Sequence, residues 1–92
     1  MGDIKKLRRR IDEVDEQILQ FLSERVEVCR SIGSLKRKQK IPIKDIPREN
    51  DVYAYIRKKA ATLGLDAVQV EAVYRQIVNM CMAVQELEEK RK

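Results

Sequence analysis

Apolar residues in the first part of the chain recur at alternating steps of three and four positions. The repeat runs from Asp3 to about Lys38 and predicts one long α-helix, because a strand would alternate every second residue. Its members are Ile4, Leu7, Ile11, Val14, Ile18, Phe21, Val28, Ile32 and Leu35. Arg25 occupies the position that should complete the series. Gly33 lies inside the same stretch, where glycine costs about 1 kcal/mol relative to alanine but would allow a second helix to approach closely.

Proline and glycine divide the rest of the chain into two shorter helices. We predict a second helix that begins at or just after its N-cap, Asp45, and ends near Gly64, where a C-terminal cap belongs. A third helix is predicted from the N-cap Asp66, with Gln69 three residues later as in a capping box. Its apolar stripe repeats the three-four spacing and consists of Val70, Val73, Ile77, Met80, Val84 and Leu87. The expected fold class is all-α, with three helices in a single domain over residues 1–92.

The first helix is too long to be covered by the rest of one small chain. About 36 helical residues span roughly 54 Å, whereas a compact domain of this size has a radius of gyration of about 12 Å. We therefore predict an intertwined homodimeric helical bundle. A parallel pairing would bury Arg25 against its own twin, so an antiparallel pairing is favoured. In that arrangement, Arg8 of one chain would lie between Arg25 and Lys36 of the other.

Composition and charge exclude several kinds of chemistry. The 92 residues contain no histidine and two cysteines, so neither a metal site nor a catalytic triad is expected. The simplest interpretation of the cysteines is reduced thiols in a cytoplasmic protein. Although the net charge is +5, the 15 acidic residues are mixed among the 20 basic ones, which favours an ordinary solvated surface over nucleic-acid binding. Neither a signal peptide nor a membrane-spanning segment is predicted.

Arg25 is the sharpest anomaly, because a charge in an apolar seam costs several kcal/mol unless it is paired. A salt bridge to an internal carboxylate and extension of the side chain to the surface both remain open explanations. Lys36 lies about 16 Å further along the same face. Arg8 and Arg25 of one chain are separated by about 25 Å and cannot share a site within that chain. The three cations together predict a site for a small anion that is completed across the dimer.

Three stretches of the chain carry a family resemblance. They are LRRRIDEVDEQILQFLSERVEV (7–28), IPIKDIPREN (41–50) preceded by Lys36, and QIVNMCMAVQ (76–85). In nearly its whole length, the chain resembles the all-helical chorismate mutases, the AroQ class. The resemblance lies in the order of the motifs, which is Arg, I-D-x-x-D, E-R, Lys, P-x-x-D-x-x-R-E and a final Gln.

The resemblance implies roles for the cations and for one amide. Arg8 of the partner chain and Arg25 would bind the two carboxylates of the substrate, chorismate. Lys36 would contact a carboxylate and the ether oxygen of the bond that breaks, and Gln85 would donate to the same oxygen from the other side.

The remaining implied contacts lie on the second helix and on the third. Asp45 and Glu49 would hold the region of the ring hydroxyl, and Arg48 would shape the site. Cys81 departs from the family pattern, which has a serine there, and a thiol is a weaker donor. Without the resemblance, Asp45 is explained as an N-cap, Glu49 as an acid in a first helical turn and Gln85 as a flank residue.

The reaction that the resemblance implies is the rearrangement of chorismate to prephenate, which needs no cofactor. Two alternatives stay open at this point. One is an isochorismate-pyruvate lyase, which would share the fold. The other is a non-enzymatic helical dimer, for which salt-sensitive nucleic-acid binding would be expected.

Overall fold

A computed structural model describes residues 2–91 of the chain, and every regular element in that range is helical. The elements are α1 (Gly2–Gln39), α2 (Ile46–Thr62) and α3 (Ala67–Glu89). The all-α class with three helices is thus confirmed, and so is the length of the first helix. The longest dimension of the molecule is 57 Å, as expected for a straight helix of 38 residues at about 1.5 Å each.

The helices begin at the predicted caps. The carboxylate of Asp45 accepts from the backbone N–H of Arg48 at 3.0 Å, and that of Asp66 accepts from the N–H of Gln69 at the same distance. Each bond satisfies one of the N–H groups that a helix leaves without a partner in its first turn. Both predicted N-caps are therefore confirmed.

The C-terminal ends of α1 and α2 are closed by residues with positive φ. Gly64 (φ 72°) follows α2 where the sequence predicts a cap, and the N–H of Leu65 donates to the carbonyl of Ala60 at 2.9 Å. Lys40 (φ 58°) plays the same part after α1 and was not predicted, because only glycine and asparagine commonly mark this conformation.

The third helix packs against both others, whereas α1 and α2 do not pack on each other within residues 2–91. The C-terminal half of α1 runs parallel to α3, since successive turns of one meet successive turns of the other. Cys29 is bonded to Cys81, Gly33 contacts Gln85 and Arg37 donates to the carbonyl of Glu88. Nearer the N-terminus of α3, Arg57 of α2 pairs with Glu71, and Arg75 lies over the ring of Tyr53 at 4.4 Å.

The cysteines correct the expectation of reduced thiols. Cys29 and Cys81 form a disulfide between α1 and α3, with their Cα atoms 5.4 Å apart. The expectation was wrong because it rested on the small number of cysteines. Pairing depends instead on whether two side chains meet in the fold, and the parallel register of α1 on α3 brings these two together.

The N-terminal half of α1 extends away from the rest of the chain. Within residues 2–24, only Leu22 is even partly buried. Most of the apolar seam of α1, meaning the three-four repeat from Ile4 to Leu35, is consequently solvent-exposed in one chain. Phe21, for example, is 67% exposed. No helix within residues 2–91 is long and apolar enough to cross a membrane.

Candidate active site

A cavity of about 440 Å³ lies between the three helices, beside the contact between the C-terminal halves of α1 and α3. Small-molecule sites commonly have volumes of this order. Its lining includes seven of the eight residues that the sequence singled out: Arg25 and Lys36 of α1, Asp45, Arg48 and Glu49 at the start of α2, and Cys81 and Gln85 of α3. The fold thus brings these seven positions together around one cavity.

Arg25 has no acidic partner within the described part of the chain. It is half-buried, and its Nη1 lies 3.8 Å from Sγ of Cys29, a weak contact. None of the carboxylates of residues 2–91 approaches its guanidinium within 4.0 Å. The internal salt bridge that could have explained this charge is thus absent within residues 2–91, and Arg25 lines the cavity.

Lys36 is held at the opposite end of the same lining by the segment that joins α1 to α2. Its Nζ donates to the backbone carbonyl of Ile43 at 2.8 Å, and the side chain is half-buried. An ammonium group has three donors, so two remain for a ligand. The bond fixes the direction in which the long side chain points and keeps its charge at the cavity.

The carboxylates of α2 face these cations across the cavity. Asp45 accepts the capping bond through Oδ1, so its structural role as an N-cap is established whatever else it does. Glu49 is half-buried in the first turn of the same helix, and Arg48 between them is exposed. With Arg25 and Lys36, the lining carries three cations and two carboxylates, an arrangement suited to a ligand that has both anionic groups and a hydroxyl.

Gln85 is the most buried polar group of the site, at 6% exposure. Its Nε2 lies 3.1 Å from Sγ of Cys81, while its Oε1 is buried and has no hydrogen-bond partner. Buried polar atoms are nearly always paired in folded proteins. Since the unpaired atom belongs to a side chain that lines the cavity, Oε1 is free to accept a hydrogen bond from a ligand, whereas Nε2 would have to leave Cys81 to donate one.

Cys81 lines the cavity as a disulfide sulfur. In this state it has no S–H group, so it can only accept, and its polar neighbour is the amide of Gln85. The doubt that the sequence raised about a donor at this position therefore has a structural cause.

Arg8 is the one predicted site residue that the single chain leaves outside the cavity. It is exposed on the N-terminal half of α1, about 25 Å from Arg25 along the helix. The separation agrees with the expectation that these two arginines cannot share a site within one chain.

Apolar side chains make up the rest of the lining, and sequence reasoning had not assigned them to a site. They are Val28, Cys29, Ile32, Ile43, Val52, Val78 and Met82. Val28 and Ile32 had been assigned to the seam only. A usable signal existed, because Cys29 lies one turn after Arg25 and Ile32 lies one turn before Lys36 on the same helix.

Known proteins with similar sequences indicate the family to which the chain belongs. The family model described as chorismate mutase type II matches residues 7–86. A bifunctional chorismate mutase/prephenate dehydratase of Aquifex aeolicus is 32% identical over 88 residues, which cover 92% of this chain and 24% of that protein. A chorismate mutase of Methanocaldococcus jannaschii is 33% identical over 63 residues, covering 68% of this chain and 64% of that protein.

A third relative has a different name. The 4-amino-4-deoxychorismate mutase of Streptomyces pristinaespiralis is 31% identical over 72 residues, which cover 78% of this chain and 56% of that protein. The chain thus spans about a quarter of the bifunctional relative and up to two thirds of the others. Because the family match extends over most of the chain, including every position of the candidate site, the chain belongs to the chorismate mutase type II family.

Proposed function

We propose that this protein is a chorismate mutase that rearranges chorismate to prephenate. The observation that carries the proposal is the cavity itself, in which an arginine without an acidic partner, a lysine and a buried glutamine amide line one space. Chorismate carries two carboxylates and an ether oxygen on which charge develops as its C–O bond breaks. The cavity offers cations for the former and donors for the latter.

The proposed mechanism needs restraint and electrostatics only. Arg25 binds a carboxylate and so holds the enolpyruvyl arm over the ring, which removes much of the entropic part of the barrier. Lys36 and the amide of Gln85 donate to the ether oxygen as it becomes negative. A donor placed in advance at such a point contributes about 3 to 4 kcal/mol. The donation requires the amide of Gln85 to turn from Cys81 toward the substrate.

Asp45, Arg48 and Glu49 are proposed to hold the other side of the ring. Asp45 has one carboxylate oxygen left after capping α2, and Glu49 is half-buried beside it. Acceptors at this place suit a ring hydroxyl, which donates one hydrogen bond. Arg48 completes this wall of the cavity.

A second copy of the chain is proposed to complete the site. The exposed seam of α1 needs a cover, and an antiparallel copy brings its Arg8 to the gap between Arg25 and Lys36. That arginine would bind the second carboxylate. The homodimer therefore serves both stability and catalysis in this proposal.

The test follows the loss of chorismate by its ultraviolet absorbance, in the wild-type protein and in Arg25→Ala. We expect conversion to prephenate, with kcat/KM at least about 100-fold lower in the variant. Arg30→Ala is the matched control, because Arg30 is on the same helix, pairs with Glu27 and does not line the cavity. An exposed pair of this kind contributes little, so the control should keep its activity within about two-fold.

The absence of turnover by intact wild-type protein would contradict the proposal. Isochorismate and 4-amino-4-deoxychorismate, assayed in parallel, would then separate a lyase and an amino-substrate mutase from a binding module. Turnover that Arg25→Ala leaves unchanged would contradict the assigned site and leave the reaction standing.

A further inference from the structure

The backbones of α1 and α3 approach most closely at Gly33. A Cβ atom built on Gly33 would lie 2.8 Å from Cα of Gln85 and 3.2 Å from both Cβ and Cγ of the same residue. Carbon atoms in contact are normally about 3.5 to 4.0 Å apart. Because the nearest atom belongs to the backbone, rotation of the Gln85 side chain cannot relieve the overlap. A side chain at position 33 would therefore fit only if α3 shifted relative to α1.

The two helices are fixed to each other on either side of this contact. One turn before Gly33, Cys29 is joined to Cys81 by the disulfide. One turn after it, Nη1 of Arg37 donates to the carbonyl oxygens of Glu88 at 3.3 Å and Arg91 at 3.0 Å. With α3 held at both ends of this segment, a displacement at position 33 is concentrated on Gln85.

We propose that Gly33 is a positioning residue, which sets the place of the Gln85 amide in the cavity by letting α3 cross α1 in direct contact with that residue. The proposal rests on the proposed function, in which Gln85 donates to the ether oxygen. A glycine needed for packing alone would change stability without a specific effect on the chemical step. A positioning residue changes kcat and acts only through Gln85.

The first test compares Gly33→Ala with wild type in the chorismate assay. A shift of about 1 Å in a catalytic group can cost about 100-fold, so we expect kcat to fall between about 10-fold and 100-fold, with KM changed by less than about 3-fold. Gly2→Ala is the matched control: it makes the same replacement on the same helix, and nothing lies within 4 Å of the added Cβ. Its kcat should equal that of wild type.

A double-variant cycle separates positioning from packing. Residues that act as a unit are strongly non-additive. In a Gln85→Ala background, adding Gly33→Ala should therefore change kcat by less than about two-fold. An equally large loss of kcat in both backgrounds would overturn the proposal, and so would a wild-type kcat in Gly33→Ala.

Arg37→Met gives a second route if Gly33→Ala does not fold. It leaves the helix contact in place and removes the two bonds that hold α3 just beyond Gln85. The proposal expects a lower kcat that again disappears in the Gln85→Ala background. A kcat equal to that of wild type would overturn it.

Failure of the proposed function would be recognised separately. If wild-type protein does not convert chorismate, positioning is judged from the side-chain amide ¹H–¹⁵N resonances of Gln85. A change of these resonances in Gly33→Ala but not in Gly2→Ala supports the inference. Unchanged resonances in both overturn it.

Discussion

Arg25 and Gln85 show how single polar residues in apolar surroundings point to a ligand. Arg25 interrupts an apolar repeat and has no carboxylate partner within residues 2–91. Gln85 is buried with one amide oxygen unpaired. The unpaired charge of Arg25 and the unpaired oxygen of Gln85 each cost free energy in the isolated chain. Both side chains line the same cavity, so one ligand with an anionic group for Arg25 and a hydrogen-bond donor for Oε1 of Gln85 would satisfy the two at once.

Glu71 carries a prediction about acid stability. Its carboxylate accepts hydrogen bonds from Arg57 and Arg75, of which the bond from Arg57 has the larger effect. Both bonds lower the pKa of the carboxyl below the usual 4.5. A pKa depressed by folding contributes stability that is present above the unfolded value and is lost as the pH falls through the folded one. We expect the thermal midpoint of Glu71→Gln to fall less than that of wild type between about pH 5 and pH 3.

The measurement for Glu71 is thermal unfolding by circular dichroism across that range of pH. Glu86→Gln, an exposed acid on the same helix, is the control and should follow the wild-type curve. Identical slopes for Glu71→Gln and wild type would show that the pair of arginines does not stabilise the fold through this carboxylate.

Seven of the polar positions that line the cavity could be predicted from sequence, but the contacts that fix their places could not. The spacing of Arg25, Lys36 and Gln85 is a property of the chain, and the family resemblance attached roles to it. The disulfide and the contact of Gly33 with Gln85 depend instead on the register of α1 against α3. No local pattern encodes that register, since the bonded cysteines are 52 residues apart in sequence.

At the scale of the elements, periodicity and capping determined nearly all the boundaries. The bounds predicted for α1 differ from those observed by one residue, and Asp45 and Asp66 begin the other two helices as predicted. What escaped prediction was the residue that caps the end of α1, because a lysine, Lys40, adopts positive φ there. Which faces of α3 meet α1 and α2 was also beyond the sequence, since amphipathic stripes do not specify their partners.

The disulfide between α1 and α3 predicts that stability depends on the redox state. Cross-linking residues 52 positions apart removes chain entropy from the unfolded state worth about 4 kcal/mol. We expect a reductant to lower the thermal midpoint of wild-type protein by about 20 °C. A protein with both Cys29→Ser and Cys81→Ser should melt at the same temperature with and without reductant. Equal melting of oxidised and reduced wild type would contradict the stabilising role.

At the scale of the whole molecule, one chain is more extended than a compact globular domain of the same length. Its radius of gyration is 16.7 Å, against about 12 Å for a compact chain of this length. The exposed seam on α1 consists of Ile4, Leu7, Ile11, Val14, Ile18, Phe21, Val28, Ile32 and Leu35. Exposed apolar surface on this scale is typical of an interface, and the proposed self-association would cover the seam of both copies by one symmetric contact.

The central claim of the account is a catalytic site shared between two chains, and mixing two inactive variants tests it most directly. Arg8→Ala and Arg25→Ala are unfolded together and refolded, and the turnover of chorismate is then measured. Random pairing makes half of the dimers mixed, and each of these has one site with both arginines, so activity should recover to about a quarter of wild type. Activity no greater than the mean of the two separate variants would contradict a site completed by the partner's Arg8.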